Sequence, residues 1–354
     1  MNTINLDISV WVALVLGLGM VLCLWRSHRH YRALLEIRPL AQSEASSVAH
    51  PDCMVVIPAR NEEGNVGLAV RRLPPDSVIV VDDFSDDKTA DEARESGAGV
   101  LQAPELLDGA VGKSNACMEG ARVLTSRWIL FADADVRFEP GAVNALVAAV
   151  EGGQFDFLSV YLKPEFLTIS ESVIAPYGVA LFFSGINPGA NPASAFNGQC
   201  VLVKRDAYEF VGGHRALLSH VCEDVQMAAL AERHRMKFAV ARATMLGSVR
   251  IRPDDFERNA SRFVLVSLWT GAWVALMAAA WALWLPALAL LIVNNETAVA
   301  LAWAVIPSVL LGPWYGWKRA ILAPIGIYAI LPRLFHGAVG AMTNRHFEWK
   351  GRVI

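Results

Sequence analysis

Residues 8–25, ISVWVALVLGLGMVLCLW, form an uncharged apolar run long enough to cross most of a hydrocarbon core as a helix. Arg26, Arg29 and Arg32 follow at once, so the positive-inside tendency places the C-terminal end of this segment in the cytoplasm and Met1 outside. A cleaved signal peptide carries its charges ahead of the apolar run. Here they come after it, and the segment reads as an uncleaved anchor. A second greasy region is uncharged from Val264 through Val293, too long for one crossing and short for two, and Pro286 is expected to end the first. Residues 298–317 are again uncharged and are closed by Lys318 and Arg319, so 264–285 and 298–317 read as an out-and-back pair. Residues 320–342 are interrupted by Pro332, Arg333 and His336. They read as a re-entrant or interfacial segment or as a final crossing, and the basic tail NRHFEWKGRVI favours an inside C-terminus.

These runs explain why 54% of the 354 residues are hydrophobic and only 18% charged, too apolar for an ordinary soluble domain. The expectation is a multi-pass protein of the cell (inner) membrane. A net charge of −3 offers no excess of positive surface for nucleic acid. The five cysteines are scattered without a CxxC pair, which suits a reducing compartment and speaks against a disulfide framework or a zinc site.

The expected organisation is an anchor over 1–32, a linker over 33–50, a cytoplasmic domain over 51–250, an interface segment over 251–263 and a membrane region over 264–354. The middle part alternates short apolar runs (CMVVIPA at 53–59, SVIVVDD at 77–83, a strand near 99–102, WILFADAD, and FDFLSV at 155–160) with amphipathic stretches. Helices are expected near 65–73, 88–95, 113–125 and 140–150. That rhythm predicts an α/β fold, a parallel sheet with helices on both faces, and ligands at the carboxyl ends of its strands.

Three strands end in polar residues at that edge. Arg60, Asn61 and Glu62 follow the first, Asp82 and Asp83 the second, and Asp133 and Asp135 the fourth. Buried strands that run into unpaired acids are costly, so a cation is the expected companion. In phosphate chemistry a hard divalent ion takes one or two carboxylates together with phosphate oxygens, and Asp133 and Asp135 fit that pattern on a shared strand face or in a turn. Lys113, in GKSNA at a helix start, adds positive charge near a diphosphate. One of Asp82 and Asp83 would accept hydrogen bonds from a nucleotide base or ribose, although DDFSDDKT also suits a plain helix cap. Glu223 and Asp224 occupy the first turn of a helix whose buried side is read as Val225, Ala228 and Ala229. Asp224 is read as a general base, and the alternative is a simple response to the helix dipole. The glycines of FNGQC and VGGH allow close backbone approach. His214 and His220 are read as structural.

In order and spacing, VVIPARNEE, VVDDFSDDKT, GKSNA, FADAD and CED resemble a membrane-bound family 2 glycosyltransferase with a GT-A fold, over residues 51–263. Within that family, FNGQCVLVKRDAYEFVGGH and the terminal WKGR look like the bacterial lipid-modifying enzymes, including ceramide glucosyltransferase-like, carotenoid and hopanoid-associated members. The resemblance implies a Rossmann-like mixed sheet flanked by helices and inverting transfer from a nucleotide sugar, most often a UDP-sugar, to a membrane lipid. It implies that Arg60, Glu62, Asp82, Asp83, Lys113 and Arg262 bind the donor and that Asp133 and Asp135 hold Mg or Mn. It also implies that Asp224 acts as base, with Glu223 beside it. Processive members carry Gln-x-x-Arg-Trp where this chain reads Asn259-Ala260-Ser261-Arg262-Phe263, which favours adding one sugar over polymer synthesis. A cation-dependent nucleotidyltransferase would give Asp224 no role at that distance. A catalytically inactive membrane scaffold would not need all three acid positions intact.

Overall fold

The computed structural model describes residues 8–40, 50–185, 195–220, 222–252, 276, 278–342, 348–349 and 352–353. Arg262 with its Asn259–Phe263 stretch, most of the interface segment 251–263, most of the 264–285 crossing, and Lys350 and Gly351 of WKGR lie outside the described residues.

The chain begins with helix α1 (Ile8–Ala33), followed by strand β1 (Leu35–Glu36), so the expected linker starts with two residues of sheet. Next come β2 (Cys53–Ala59), α2 (Val66–Val70), β3 (Val78–Asp82), α3 (Thr89–Glu95), β4 (Gly99–Gln102) and α4 (Gly112–Val123). They are followed by β5 (Trp128–Ala132), β6 (Val136–Phe138), α5 (Ala142–Gly153), β7 (Phe157–Tyr161), β8 (Lys163–Glu165) and α6 (Ile169–Gly185). The rest comprises β9 (Cys200–Lys204), α7 (Arg205–Phe210), α8 (Glu223–Arg233), β10 (Phe238–Arg242), β11 (Gly247–Arg250), α9 (Trp284–Val293), α10 (Thr297–Tyr315), α11 (Ala323–Met342) and the short pair β12 (Glu348–Trp349) and β13 (Arg352–Val353).

The elements divide into two compact units. The larger holds an eight-stranded sheet in the order β1-β10-β7-β9-β5-β2-β3-β4, flanked by helices, the mixed α/β arrangement of a GT-A-like fold. Its central strands read as unbroken apolar runs because both faces are covered: Val55, Val56 and Ile57 of β2 and Ile129 and Leu130 of β5 have no exposed surface. β2 pairs in parallel with β3 and β5, so the ends of all three strands lie at one edge. The sheet is not wholly parallel. β9 runs antiparallel between β5 and β7, because the segment Asn197–Gln199 enters at the carboxyl edge and the chain must run back down the sheet. Close helix packing supports the edge: a Cβ on Gly120 of α4 would come within 2.4 Å of Val56 Cγ1.

The other unit contains α1, α6 and α9 to α11. Residues 166–185 therefore group with these helices and not with the domain expected over 51–250. The physical reason is visible in α6, an apolar helix whose carbonyls are taken up by polar side chains of α1. Ser27 Oγ donates to Ala180 O at 2.5 Å, Arg26 Nε to Ser184 O at 2.8 Å, and His30 Nδ1 lies 2.9 Å from Phe183 O. A capping box starts α6: Thr168 Oγ1 accepts from the Glu171 amide at 3.1 Å, and Glu171 Oε2 accepts from the Thr168 amide at 3.2 Å. Pro286, expected to end a crossing, instead sits in the first turn of α9, where a missing N–H leaves no helical bond unmade. α11 runs unbroken through Pro332. Among the described residues one helix, Val10–Ala33, is long and apolar enough to cross a membrane, and the other apolar helices are shorter.

Candidate functional site

The carboxyl edge of the large unit is built from two neighbouring clusters. In the first, the turns after β2 and β3 are laced together by side chains capping backbone amides. Ser85 Oγ accepts from the Asn61 amide at 3.0 Å, Thr89 Oγ1 from the Glu62 amide at 2.7 Å, and Asp87 Oδ2 from the Glu63 amide at 3.1 Å. This explains the wealth of turn residues in DDFSDDKT: they serve the neighbouring loop as well as the start of α3. Asn61 and Phe84 both adopt positive φ, at 50° and 56°, a strained backbone for a residue as bulky as phenylalanine. Arg60 holds it in place. Its buried guanidinium donates through Nη1 to Asp83 O at 2.5 Å and Phe84 O at 2.7 Å. Arg60 is thus turned into the protein as a strut. Glu62 accepts from Asn65 Nδ2 at 3.0 Å.

Asp82 and Asp83 end β3 and are both buried, at 5% and 2% exposure. Asp82 Oδ1 has no hydrogen-bond partner among the described residues, so it is an acceptor open to a further donor. That property suits the base or ribose contact expected of this pair.

The second cluster stands at the end of β5. Asp133 and Asp135 lie in a turn, closed by the Val136 amide donating to Asp133 O at 3.1 Å, so they do not continue a strand. The Asp133 amide is held by Gln199 O at 3.0 Å. Lys113, in the first turn of α4, reaches across to place its ammonium 2.9 Å from Asp133 Oδ1, 2.8 Å from Glu223 Oε1 and 3.2 Å from Gly198 O. Burial alone would lower the pKa of Lys113, yet the facing charges of Asp133 and Glu223 raise it well above its ordinary value. Asp135 lies where its charge bears on Arg137 of β6, and burial is the main cause that lowers the Arg137 pKa. Among the described residues no three or more His, Cys, Asp or Glu side chains gather as a metal cage. A hard cation in phosphate chemistry needs only one or two protein carboxylates beside phosphate oxygens, and two acids in a turn are compatible with that.

Glu223 and Asp224 open α8 and have been driven apart electrostatically. Burial raises the Glu223 pKa, but Lys113 outweighs it and holds Glu223 low. Asp224 is pushed up to about 6 by burial and by the neighbouring charge of Glu223. Its Oδ2 accepts from the Gly198 amide at 3.0 Å. A Cβ on Gly198 would meet that same oxygen at 3.0 Å, so the Asn-Gly turn before β9 is fitted to the carboxylate. On the buried side of α8 are Met227, Ala228 and Ala231. Ala229, read as buried, is exposed because the helix phase set by Glu223 and Met227 turns it outward. The cleft between these groups is open to solvent, and its lining includes Phe131, Cys117 and His214. His214 remains structural: burial pushes its pKa down to about 4, and Tyr208 Oη lies 3.0 Å from both its Nδ1 and its amide nitrogen.

The structure thus brings Lys113, Asp133, Glu223 and Asp224 into one cleft, with Asp82 and Asp83 two strands away at the same edge. The carbonyl of Gly198 joins the cleft without a residue-type signal, although the Asn-Gly dipeptide marks a turn where a backbone group is free to approach.

Residues 54–211 match the family described as Glycosyl transferase family 2. A 4,4'-diaponeurosporenoate glycosyltransferase of Staphylococcus aureus (strain MRSA252) is 30% identical over 222 residues, 59% of this chain and 58% of the relative. Its counterpart from strain bovine RF122 / ET3-1 is 33% identical over 188 residues, 49% of each chain. The chain thus matches less than two thirds of the length of these relatives. A solved structure, the mannosyltransferase PcManGT from Pyrobaculum calidifontis in complex with GDP-Man and Mn2+, shares the fold with a TM-score of 0.53 at 15% identity, covering 95% of this chain and 98% of that one. The sheet with its acid-bearing edge, and the sequence that builds it, identify residues 54–211 as a glycosyl transferase family 2 domain.

Proposed function

We propose that the protein transfers a single sugar, with inversion, from a nucleotide-sugar donor, a UDP-sugar, to a membrane lipid at the cytoplasmic face of the cell membrane. The observation that carries this reading is Asp224, a carboxylate with raised proton affinity, fastened to the Gly198 amide at the mouth of the cleft that also holds Asp133 and Lys113. Asp82 or Asp83 receives the nucleoside at the end of β3. Asp133 and Asp135 would hold a divalent cation, Mg or Mn, which would supply positive charge to the departing diphosphate. Asp224 takes the proton from the acceptor hydroxyl as that oxygen attacks the anomeric carbon from the side opposite the diphosphate. Glu223, kept ionised by Lys113, is an anchor and not a second base.

The acceptor is a hydroxyl-bearing isoprenoid or related lipid, carotenoid, hopanoid or sphingoid, and the relatives named for 4,4'-diaponeurosporenoate transfer favour a carotenoid. The anchor α1 and the apolar C-terminal helices form a multi-pass membrane part that keeps the catalytic domain beside a two-dimensional pool of acceptor. Single addition is favoured over processive polymer synthesis by the incomplete Gln-x-x-Arg-Trp motif at 259–263.

The test uses full-length protein in detergent, radiolabelled UDP-glucose, UDP-galactose and GDP-mannose, and a lipid extract or a hydroxylated carotenoid. Label in the lipid phase that requires Mn2+ supports the reading. The absence of transfer and of donor hydrolysis across the panel would overturn it. Asp135→Asn should abolish Mn2+-dependent donor binding, and unchanged binding would remove the cation assignment.

A further inference from the structure

The three N–H donors of the Lys113 ammonium each have an oxygen within reach: Asp133 Oδ1 at 2.9 Å, Glu223 Oε1 at 2.8 Å and Gly198 O at 3.2 Å. The ammonium is therefore fully occupied before any donor arrives. One of its partners, Asp133, is a carboxylate assigned above to the cation. An ammonium 2.9 Å from Oδ1 and a divalent ion coordinated by the same carboxylate would repel each other. The two partners also differ. The Glu223 side chain is 11% exposed and that of Asp133 is 30% exposed, so the contact with Asp133 is the one that opens toward incoming ligands. The lysine stem, anchored in the first turn of α4, is flexible and 22% exposed.

We propose that Lys113 is a resident counter-ion of the cleft, which neutralises Asp133 in the donor-free protein and must release it to Glu223's side when a divalent cation binds. This rests on the reading of Asp133 as a cation ligand. It makes Glu223 the residue that determines how easily the cation enters: Glu223 retains the lysine, and without that second anchor the ammonium stays on Asp133. Cation affinity in the donor-free protein is then set by a residue that never touches the cation.

The experiment is titration of the full-length protein in detergent with Mn2+ alone, followed by the electron paramagnetic resonance signal of free Mn2+. Lys113→Met is expected to bind Mn2+ about tenfold more tightly than the parent, because nothing competes for Asp133. Glu223→Gln is expected to bind it several-fold more weakly, and Asp133→Asn to lose the site. Unchanged or weaker binding in Lys113→Met, with Asp133→Asn still abolishing it, overturns the exchange and leaves the cation reading standing. Asp133→Asn binding as well as the parent overturns both. If Lys113→Met does not fold, Glu223→Gln decides alone, and unchanged or tighter binding there overturns the proposal.

Discussion

The amide of Gly198 donates to Asp224 Oδ2 at 3.0 Å, and a side chain of even one carbon at residue 198 would meet that oxygen at the same distance. A turn before one strand and the first turn of a distant helix have been fitted to each other around a single carboxylate. Gly198→Ala should therefore displace the base without unfolding the domain. We expect kcat to fall by about 10²-fold, the usual consequence of moving a catalytic group by about 1 Å, with KM for the donor little changed. Steady-state kinetics on the purified variant check this, and an unaltered kcat would show that Asp224 is not at the reacting centre.

Asp224→Asn keeps the shape and the Gly198 contact but has no basic oxygen. Donor binding, measured by calorimetry with UDP and Mn2+, should be retained, while transfer falls by about 10²- to 10⁴-fold, the range for loss of a general base. Transfer at the parental rate would end the assignment.

The raised pKa of Asp224 sets a pH dependence. The acid form cannot accept a proton, and Asp224 titrates at about 6, so kcat/KM should be low at pH 5, rise through pH 6 and level off above pH 7. The sign follows from the base being needed ionised: activity is lost on acidification and not on alkalinisation through this range. In Gly198→Ala the backbone bond that favours the ionised form is disturbed, and the midpoint should move upward.

Arg60→Met removes two hydrogen bonds from a buried guanidinium to Asp83 O and Phe84 O, and with them the strut that holds Phe84 at positive φ. We expect a loss of about 2–3 kcal/mol of stability, seen as a lowered Tm in thermal unfolding, because bonds to charged groups are the stronger ones and the carbonyls are left short of donors. Arg60→Lys should restore little of it, since one ammonium cannot span both carbonyls with the same fork. A donor KM that rises in parallel would place the β3–α3 loop at the nucleotide.

Much of this architecture was readable beforehand because it depends on local chemistry. The apolar runs of β2, β3 and β5 can only be strands covered on both faces, and parallel strands joined by helices bring Arg60, Asp82 and Asp133 to one edge whatever else the chain does. The placement of Glu223 and Asp224 at a helix start was legible for the same reason. Less legible was how these groups spend their valences. Arg60, read as a donor-binding cation, spends its Nη1 on two carbonyls of a neighbouring loop, which no local pattern in the chain announces. The antiparallel course of β9 depends on partners in β5 and β7, distant in the chain, and the departure of α6 into the helical unit on partners more than a hundred residues away, such as Ala180 against Ser27.

What the amino-acid order determined unaided was therefore periodic and local: which runs are buried, which strand ends carry acid, and where α1 is apolar enough to cross a membrane. What tertiary structure alone decided was the pairing of charges. Three carboxylates and one ammonium, from the turn after β5, α4 and α8, meet in one cleft, and the proton affinities of Glu223 and Asp224 separate because Lys113 pairs with the first and the charge of the first bears on the second. No spacing in the chain encodes a distance between Lys113 and Glu223, because that distance is set by how two helices pack at the end of a sheet.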